Sequence, residues 1–285
     1  MHIFLAGATG VLGRHILPLL LDQGHQVTAL TRGDDGAAAI RSRGASAVIG
    51  DVHDRGELAR IVGAAAPDVV MHQLTDLSGG SSDANARIRT IGTRNLVDAA
   101  RAAKVRRIVA QSIAWAYEGG PDPADEDAPL DLTAPVPRRT TIEGVAALER
   151  AVSELPEWVV LRYGLLYGPG TWYTPGGLIA DKAHAGTLAT SDDVSSFVHI
   201  GDAATAAVQA LAWPSGATVN VVDDEPAAAR DWVPVFCEAV AAPPPPDGPS
   251  APRAPWARGA DNHYARKHLG WVPAHPSWRL GFFAE

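Results

Sequence analysis

The chain has 285 residues, 46% of them hydrophobic, a formal net charge of −8 and a single cysteine, with a mean hydropathy of −0.01. That length holds one large α/β domain, or one and a half lobes around a shared core, and the residue balance excludes a disordered or membrane-embedded chain. No apolar run approaches the roughly 20 residues that span a bilayer, no cluster of Lys and Arg is long enough to track phosphates, and the lone Cys237 excludes an internal disulfide, so neither membrane nor nucleic acid is an expected partner and a reducing cytoplasm fits.

Short β-branched runs alternate with longer Ala-rich amphipathic stretches, the pattern of βαβ units and a parallel sheet. The chain enters a strand at His2–Ala6 with no charged n-region before it, so no signal peptide is expected. Further strands are predicted at Gln26–Thr31, Ala47–Ile49, Asp68–His72, Arg107–Ala110, Trp158–Leu161 and Thr218–Val222. Burial on both faces makes them continuous apolar runs rather than alternating ones. Helices are predicted at Val11–Gln23, closed by Gly24, and at Glu57–Ala65, Ala84–Ala103, Ile142–Glu154 and Asp202–Trp213. After Tyr163 glycine, proline and tryptophan interrupt this pattern, and the tract from Ala242 to Pro249 reads as a polyproline-type surface loop. The expected fold is α/β, a doubly wound parallel Rossmann sheet formed by 1–163 and 197–224, with a smaller, discontinuous lobe formed by 164–196 and 225–285. No internal repeat is visible.

The first strand runs into Gly7-Ala8-Thr9-Gly10-Val11-Leu12-Gly13, and a helix with Ile16, Leu17, Leu20 and Leu21 on one face follows. Strand, glycine-rich turn and helix in that order make the glycines meaningful. One allows the tight turn, one lets the backbone approach a pyrophosphate, and the third lets helix pack on strand. Free N–H groups at Val11 and Leu12, at the positive end of the helix dipole, then hold the anion. The second strand selects the dinucleotide. Where an NAD site carries an acid to bond the ribose 2′-hydroxyl, this chain has Thr31-Arg32-Gly33. A guanidinium suits a 2′-phosphate, Arg14 adds a second cation, and the expected cofactor is NADP(H).

With these residues the chain resembles the extended and atypical short-chain dehydrogenase/reductases, in their epimerase/dehydratase-like branch, over nearly its whole length. Gly50-Asp51-Val52 matches that family's adenine-contacting segment, and His72-Gln73-Leu74-Thr75 the strand that passes the cofactor. Ile91-Gly92-Thr93-Arg94-Asn95-Leu96 resembles a helix signature of the family. The segment Arg162-Tyr163-Gly164 through Gly170 resembles the one beside the nicotinamide, Ser196 through Asp202 the return from the substrate lobe, and Ala265 through Pro273 the closing helix and turn. The resemblance implies cofactor contacts from Gly7, Thr9, Gly10, Val11, Leu12, Gly13, Arg14, Arg32, Asp51, Val52, Gln73, Leu74, Thr75, Tyr163 and Gly164.

The family's catalytic set is missing. It uses a Ser or Thr together with a Tyr four residues before a Lys, the Lys lowering the Tyr pKa so that it can trade a proton. Here the hydroxyl position aligns with Ile113, one residue after Ser112. If Glu149 aligns with the family's helix Glu, Thr141 stands for the Tyr and Val145 for the Lys, and no Tyr–x–x–x–Lys occurs anywhere. Ser112 and Tyr163 are the candidate catalytic residues, and Trp115, Tyr117, Trp172, Tyr173 and His199 the candidate substrate contacts. Tyr163 also reads as packing, His199 as a satisfied structural histidine and Cys237 as a core thiol. No His/Cys cluster has metal-ligand spacing, so no metal is expected.

The function these residues imply is NADPH-dependent reduction of a ketone on a polycyclic aromatic, polyketide-type substrate whose own phenol supplies the proton. The chain also resembles the atypical ketoreductases of angucyclinone antibiotic pathways. Its eight tryptophans suit a flat aromatic ligand, with Trp115, Trp172, Trp232 and Trp256 in segments expected near the cleft. A non-catalytic NADPH-binding regulator and a sugar-nucleotide epimerase or dehydratase are the alternatives. The expected partner is the small-molecule substrate, and the chain is a monomer or homodimer.

Overall fold

The computed structural model describes residues 1–76, 82–246 and 251–284. In chain order its elements are β1 (His2–Ala6), α1 (Val11–Asp22), β2 (Gln26–Thr31), α2 (Asp34–Arg41), β3 (Ser46–Ile49), α3 (Arg55–Ala65), β4 (Val69–His72), α4 (Ser82–Arg87), a π-helical turn (Ile88–Gly92), α5 (Thr93–Ala102), β5 (Arg107–Ile113), α6 (Arg138–Val152) and β6 (Glu157–Tyr163). There follow β7 (Leu165–Tyr167), α7 (Leu178–His184), β8 (Val194–Ser195), β9 (Phe197–His199), α8 (Ile200–Gln209), β10 (Ala217–Val221), β11 (Ala227–Ala228), α9 (Ala229–Ala239), α10 (His263–His268) and α11 (Trp278–Gly281). No described helix is long and apolar enough to cross a membrane.

Seven strands form one sheet in the order β10-β6-β5-β4-β1-β2-β3. β1 pairs in parallel with β2 on one side and β4 on the other, β2 with β3, and β4 with β5. This is the doubly wound Rossmann order, and the reversal of strand order beside β1 opens a crevice at the strands' carboxyl ends. All seven predicted strands and all five predicted helices are present. The long predicted helix Ala84–Ala103 is broken by the π turn, and the one predicted from Asp202 starts at Ile200 and ends at Gln209. Of the helices that were not expected, two have a clear physical reason. α2 is short and offers few apolar residues, whereas α9 carries Pro234 inside and is held by buried Trp232, Val233, Phe236 and Cys237. Of the proline tract, residues 242–246 carry no regular structure and 247–249 lie outside the described residues.

The chain divides into two compact units: Met1–Ser112, Leu132–Leu161 and Ala207–Thr218 in the first, Ile113–Asp131, Arg162–Ala206 and Val219–Glu285 in the second. This division gives 113–131, 162–163, 197–206 and 219–224 to the second unit, whereas the sequence reading kept them with the Rossmann sheet. The first unit's core joins Phe4, Leu30, Val70, Leu96, Ile108, Leu148 and Val160. The second has an aromatic core in which Phe197 meets Tyr173, Trp232 and Phe282 edge-on, with centroids about 5.4 Å apart.

Glycines at the end of β1 set the closest backbone approach in the first unit. A Cβ on Gly13 would lie inside 3.0 Å of Gly7 O and of the Ala8 Cα, whereas one on Gly63, exposed in α3, meets nothing within 4 Å. Gly13→Ala is therefore expected to destabilise the first unit by about 2 kcal/mol or more, because backbone has to give way. Gly63→Ala should stabilise it by about 0.5–1 kcal/mol through helix propensity. Urea unfolding of the two variants checks both signs.

Candidate functional site

The turn after β1 is built as an anion cradle. Gly7 has φ +105, and a Cβ there would stand 2.5 Å from Gln73 O. Gly10 N donates to Gly7 O at 3.0 Å, and the helical bonding of α1 starts with Arg14 N donating to Gly10 O at 3.0 Å. The N–H groups of Val11, Leu12 and Gly13 thus have no helical acceptor, and α1 has neither a capping side chain nor an acid in its first turn. Beside it, both polar atoms of the Gln73 side chain are buried without a partner among the described residues. A backbone cradle closed to any Cβ, with an orphaned amide at its wall, fits a dinucleotide pyrophosphate.

Around this cradle stand the other expected contacts. Arg14 Nε donates to Thr9 O at 2.9 Å, which lays its guanidinium along the loop. Arg32 is exposed at the end of β2. Asp51 Oδ1 accepts from His53 N at 2.9 Å, and Asn95 Nδ2 donates to Val52 O at 3.0 Å, pinning the loop after β3. Leu74 is half-buried and Thr75 exposed beyond β4.

His72 fixes the exit of β4. Its Nε2 lies 2.8 Å from Thr93 Oγ1, Thr93 Oγ1 donates to Ile88 O at 3.3 Å, and Leu74 N donates to His72 Nδ1 at 3.4 Å. With Thr93's one proton on Ile88 O, the ring must be neutral with its proton on Nε2. Burial and the nearby Arg89 push its pKa down to about 4. A neutral ring with both nitrogens engaged holds Gln73 and Leu74 against the cradle.

At the end of β5, Ser112 is 1% exposed and its Oγ donates to Glu149 Oε1 at 2.7 Å. The proton expected for a substrate carbonyl is given to α6 instead. Val145, which replaces the Lys if Glu149 aligns with the family's helix Glu, is fully buried, and Thr141, at the Tyr position in that alignment, is half-buried. The sequence reading did not single out Arg89, on the π turn, 6% exposed and packed beside Gly144. Burial pushes its pKa down to about 10 and the Glu149 carboxylate pulls it back up. Ser112, half-buried Glu149 and Arg89 therefore link β5, α6 and the π turn, by a hydrogen bond and by charge; the only signal for it was Arg89's place just before Ile91-Gly92-Thr93.

The second unit contains a cleft of about 220 Å³ lined by Ala114, Trp115, Tyr117, Gly164, Leu165, Asp193–Ser196, Trp256, Ala257 and Gly259. Trp115 and Trp256 are 37% and 36% exposed. Tyr117 is buried, donates from its hydroxyl to Asn220 Oδ1 at 2.5 Å, and has the Arg162 guanidinium 4.8 Å from its ring centroid. Tyr163, next to the lining residue Gly164, is 2% exposed; burial holds its ionisation far above the usual tyrosine range, and its hydroxyl has no partner among the described residues. Tyr167 and Tyr173 are shifted the same way by burial.

Trp172, Tyr173 and His199 are outside the cleft lining. Tyr173 packs in the aromatic core, and Trp172 is exposed. The fold does bring His199, Asp202 and His275 together, with ligand atoms within 4.8 Å of one another, a grouping no sequence spacing suggested. Asp202 accepts from Ala274 N, His275 N and His275 Nδ1 at 2.9–3.0 Å, and the His199 ring lies tilted against that of His275 with centroids 3.7 Å apart. These bonds dock the tail segment on the start of α8.

The family model for the NAD dependent epimerase/dehydratase family matches residues 3–222. The chain belongs to that family. As a member it is a nicotinamide-dependent oxidoreductase. It is 44% identical, over the full length of both chains, to a 3-diazoavenalumate denitrifying reductase from Streptomyces sp. It is 34% identical over 110 residues, 38% of this chain and 32% of the other, to a 4-hydroxy-2-methyl-3-oxo-4-farnesyl-3,4-dihydroquinoline-1-oxide ketoreductase from Stigmatella aurantiaca. Among solved structures it is similar to the Thermus thermophilus UDP-glucose 4-epimerase in complex with NAD, at 25% identity and a TM-score of 0.78, covering 99% and 97% of the two chains.

The His72 geometry carries a pH signature in this epimerase/dehydratase fold. In the folded chain the ring stays neutral down to about pH 4, while an unfolded histidine takes its proton near 6.5. The unfolded state then binds more protons across that interval, so His72's contribution is fully present above about pH 6.5 and is lost as pH falls towards 4. The unfolding free energy of the native chain relative to His72→Gln is expected to fall by up to about 3 kcal/mol between pH 7 and pH 4. Urea titrations of both proteins at several pH values measure it.

Proposed function

We propose that this chain is an NADPH-dependent reductase of an aromatic acceptor whose reduction draws no proton from the protein. One observation carries the reading: every hydroxyl expected to give that proton is committed elsewhere or pushed away from ionisation. Ser112 gives its proton to Glu149 and Tyr117 gives its own to Asn220. Tyr163 is raised by burial, and its hydroxyl has no partner among the described residues.

The cradle of Gly7, Gly10 and Gly13, the N–H groups opening α1 and the Gln73 amide would hold the dinucleotide's phosphates; Arg14 and Arg32 favour a 2′-phosphate over a bare hydroxyl. When bound, the reduced nicotinamide supplies a hydride. What the chain's residues add is position: a rigid cradle, a pinned β4 exit and an aromatic-walled cleft.

Two acceptors meet the proton constraint. A ketone that takes a hydride becomes an alkoxide and needs a proton, which an adjacent phenol on the same molecule can give, its pKa being about 10. An aryl diazonium that takes a hydride at carbon releases dinitrogen, Ar–N₂⁺ plus H⁻ giving Ar–H plus N₂, and needs no proton at all. The full-length relative is named for a diazo substrate and the loss of nitrogen, whereas the ketoreductase match covers 38% of this chain. A cleft of about 220 Å³ is also small beside ligand pockets of roughly 300–1,000 Å³, which favours a single-ring acceptor over the polycyclic one. The diazo acceptor is therefore the leading reading, and the phenolic ketone the second.

NADPH should bind more tightly than NADH, and Arg32→Ala should cost about 1.5–3 kcal/mol of NADPH affinity and little for NADH, the range for a hydrogen bond to a charged group. Equal calorimetric affinities for the two cofactors in the native chain would overturn the NADP(H) assignment.

Single-turnover NADPH absorbance separates the acceptors. A monocyclic phenol-diazonium should be reduced with stoichiometric nitrogen release and no solvent-proton dependence. If the ketone reading holds instead, an aromatic ketone beside a phenol turns over and its methyl ether does not, a loss in kcat rather than in binding. Tight NADPH binding with no oxidation by either acceptor would leave the non-catalytic regulator.

A further inference from the structure

The second unit's cleft differs from a sugar-nucleotide site in its charge. Its lining residues include one carboxylate, Asp193, and no Lys or Arg. A diphosphate entering it would meet no lining cation and one anion. Asp193 is half-buried and held still: its Oδ1 accepts from Ala254 N at 2.7 Å, its backbone N donates to Ser191 Oγ at 3.3 Å, and its backbone O accepts from Ala229 N at 2.9 Å. Trp115 and Trp256 line the same cleft, each more than a third exposed. Ala257 and Gly259, beside Trp256, add apolar wall without charge.

We infer that this cleft selects an aromatic cation, with Asp193 supplying the counter-charge and the indoles of Trp115 and Trp256 the electron-rich faces. An indole face attracts a cation through the ring quadrupole, more strongly than Tyr or Phe does. A fixed carboxylate in a partly desolvated wall adds a coulombic preference that bulk water would otherwise screen. The inference rests on the reading of this cleft as the acceptor site, and it names what distinguishes the leading acceptor from the second: a diazonium enters charged and a ketone enters neutral. It also fits a cleft with no lining cation for the diphosphate of a nucleotide sugar.

The test is binding, so it needs no turnover. Phenyltrimethylammonium and tert-butylbenzene are isosteric and differ in charge. Binding of each to the native chain, followed by tryptophan fluorescence and by calorimetry, should favour the cation about fivefold or more. Asp193→Asn keeps the Oδ1 acceptor for Ala254 N and is expected to remove most of that preference, with an unchanged melting temperature showing that the fold is intact. Trp115→Leu and Trp256→Leu should weaken the cation more than the neutral compound. The native preference should also shrink in 0.5 M sodium chloride, a readout that stands if the variants fail to fold. Equal affinities for the two probes in the native chain at low salt, or a preference untouched in a folded Asp193→Asn protein, would overturn the inference. A cation preference in a chain that reduces no diazonium would sustain the cleft's selectivity while sinking the proposed reaction, and reduction of a diazonium without the preference would do the reverse.

Discussion

The rest of the first unit is organised around a backbone contact in which no side chain fits. At Gly7 and Gly13 the end of β1, the turn and the first residues of α1 come together more closely than a Cβ permits, and the chain leaving β4 at Gln73 closes over the same point. That contact sits where the strand order reverses, with β2 on one side of β1 and β4 on the other. It fixes the direction of α1, so that its unbonded N–H groups face the crevice, and it buries the Gln73 amide with no partner among the described residues. His72 extends the constraint one residue back: a neutral ring between Thr93 and Leu74 keeps β4's exit in register with the cradle.

The same burial that builds the site removes its acids. A hydroxyl donates usefully near neutral pH only when a neighbouring charge brings its pKa down, and the family's Lys does this for its Tyr. Tyr163 is desolvated, and its ionisation moves the other way. Arg89, a buried cation, sits in the electrostatic reach of Glu149, and Glu149 accepts the hydrogen bond that Ser112 donates. This chain ties three elements together and orients a serine oxygen as an acceptor. On the function proposed above, the chemistry left to such a site would be hydride acceptance by a molecule that resolves its own charge.

How far the sequence revealed this follows from the distance over which each feature is determined. The glycine turn, Arg14 and Arg32 are local, and strand, turn and helix in order identify them. The π turn is not visible, because it inserts a turn of wider pitch into a helix whose apolar spacing looks continuous from Ala84 to Ala103. α9 was hidden by Pro234, a residue that breaks isolated helices but is tolerated where buried Trp232 and Phe236 anchor the segment. Ser112 and Glu149 are 37 residues apart, and only the pairing of β5 with α6 turns a candidate substrate donor into a structural one. His199, Asp202 and His275 meet for the same reason, by a tail that returns from far along the chain.

Tryptophan content illustrates the limit best. Eight indoles suggested a broad aromatic floor, yet Trp232, Trp271 and Trp278 are core residues, Trp213 is buried and Trp172 is outside the cleft. The aromatic core of the second unit uses its rings edge-on against one another, with Tyr173 and Phe282 closing around Phe197, so its surface is consumed in packing. Burial likewise raises Asp223 to about 8, where it accepts from Glu225 N and from Trp278 N and thereby anchors the tail segment. Among the cleft's lining residues are two exposed indoles and one fixed carboxylate. Count alone would argue for a large flat ligand; placement argues for a small one, held by charge as much as by stacking. On the reading proposed above, a cleft with two exposed indoles and no lining cation would refuse nucleotide diphosphates by charge and wide ring systems by volume.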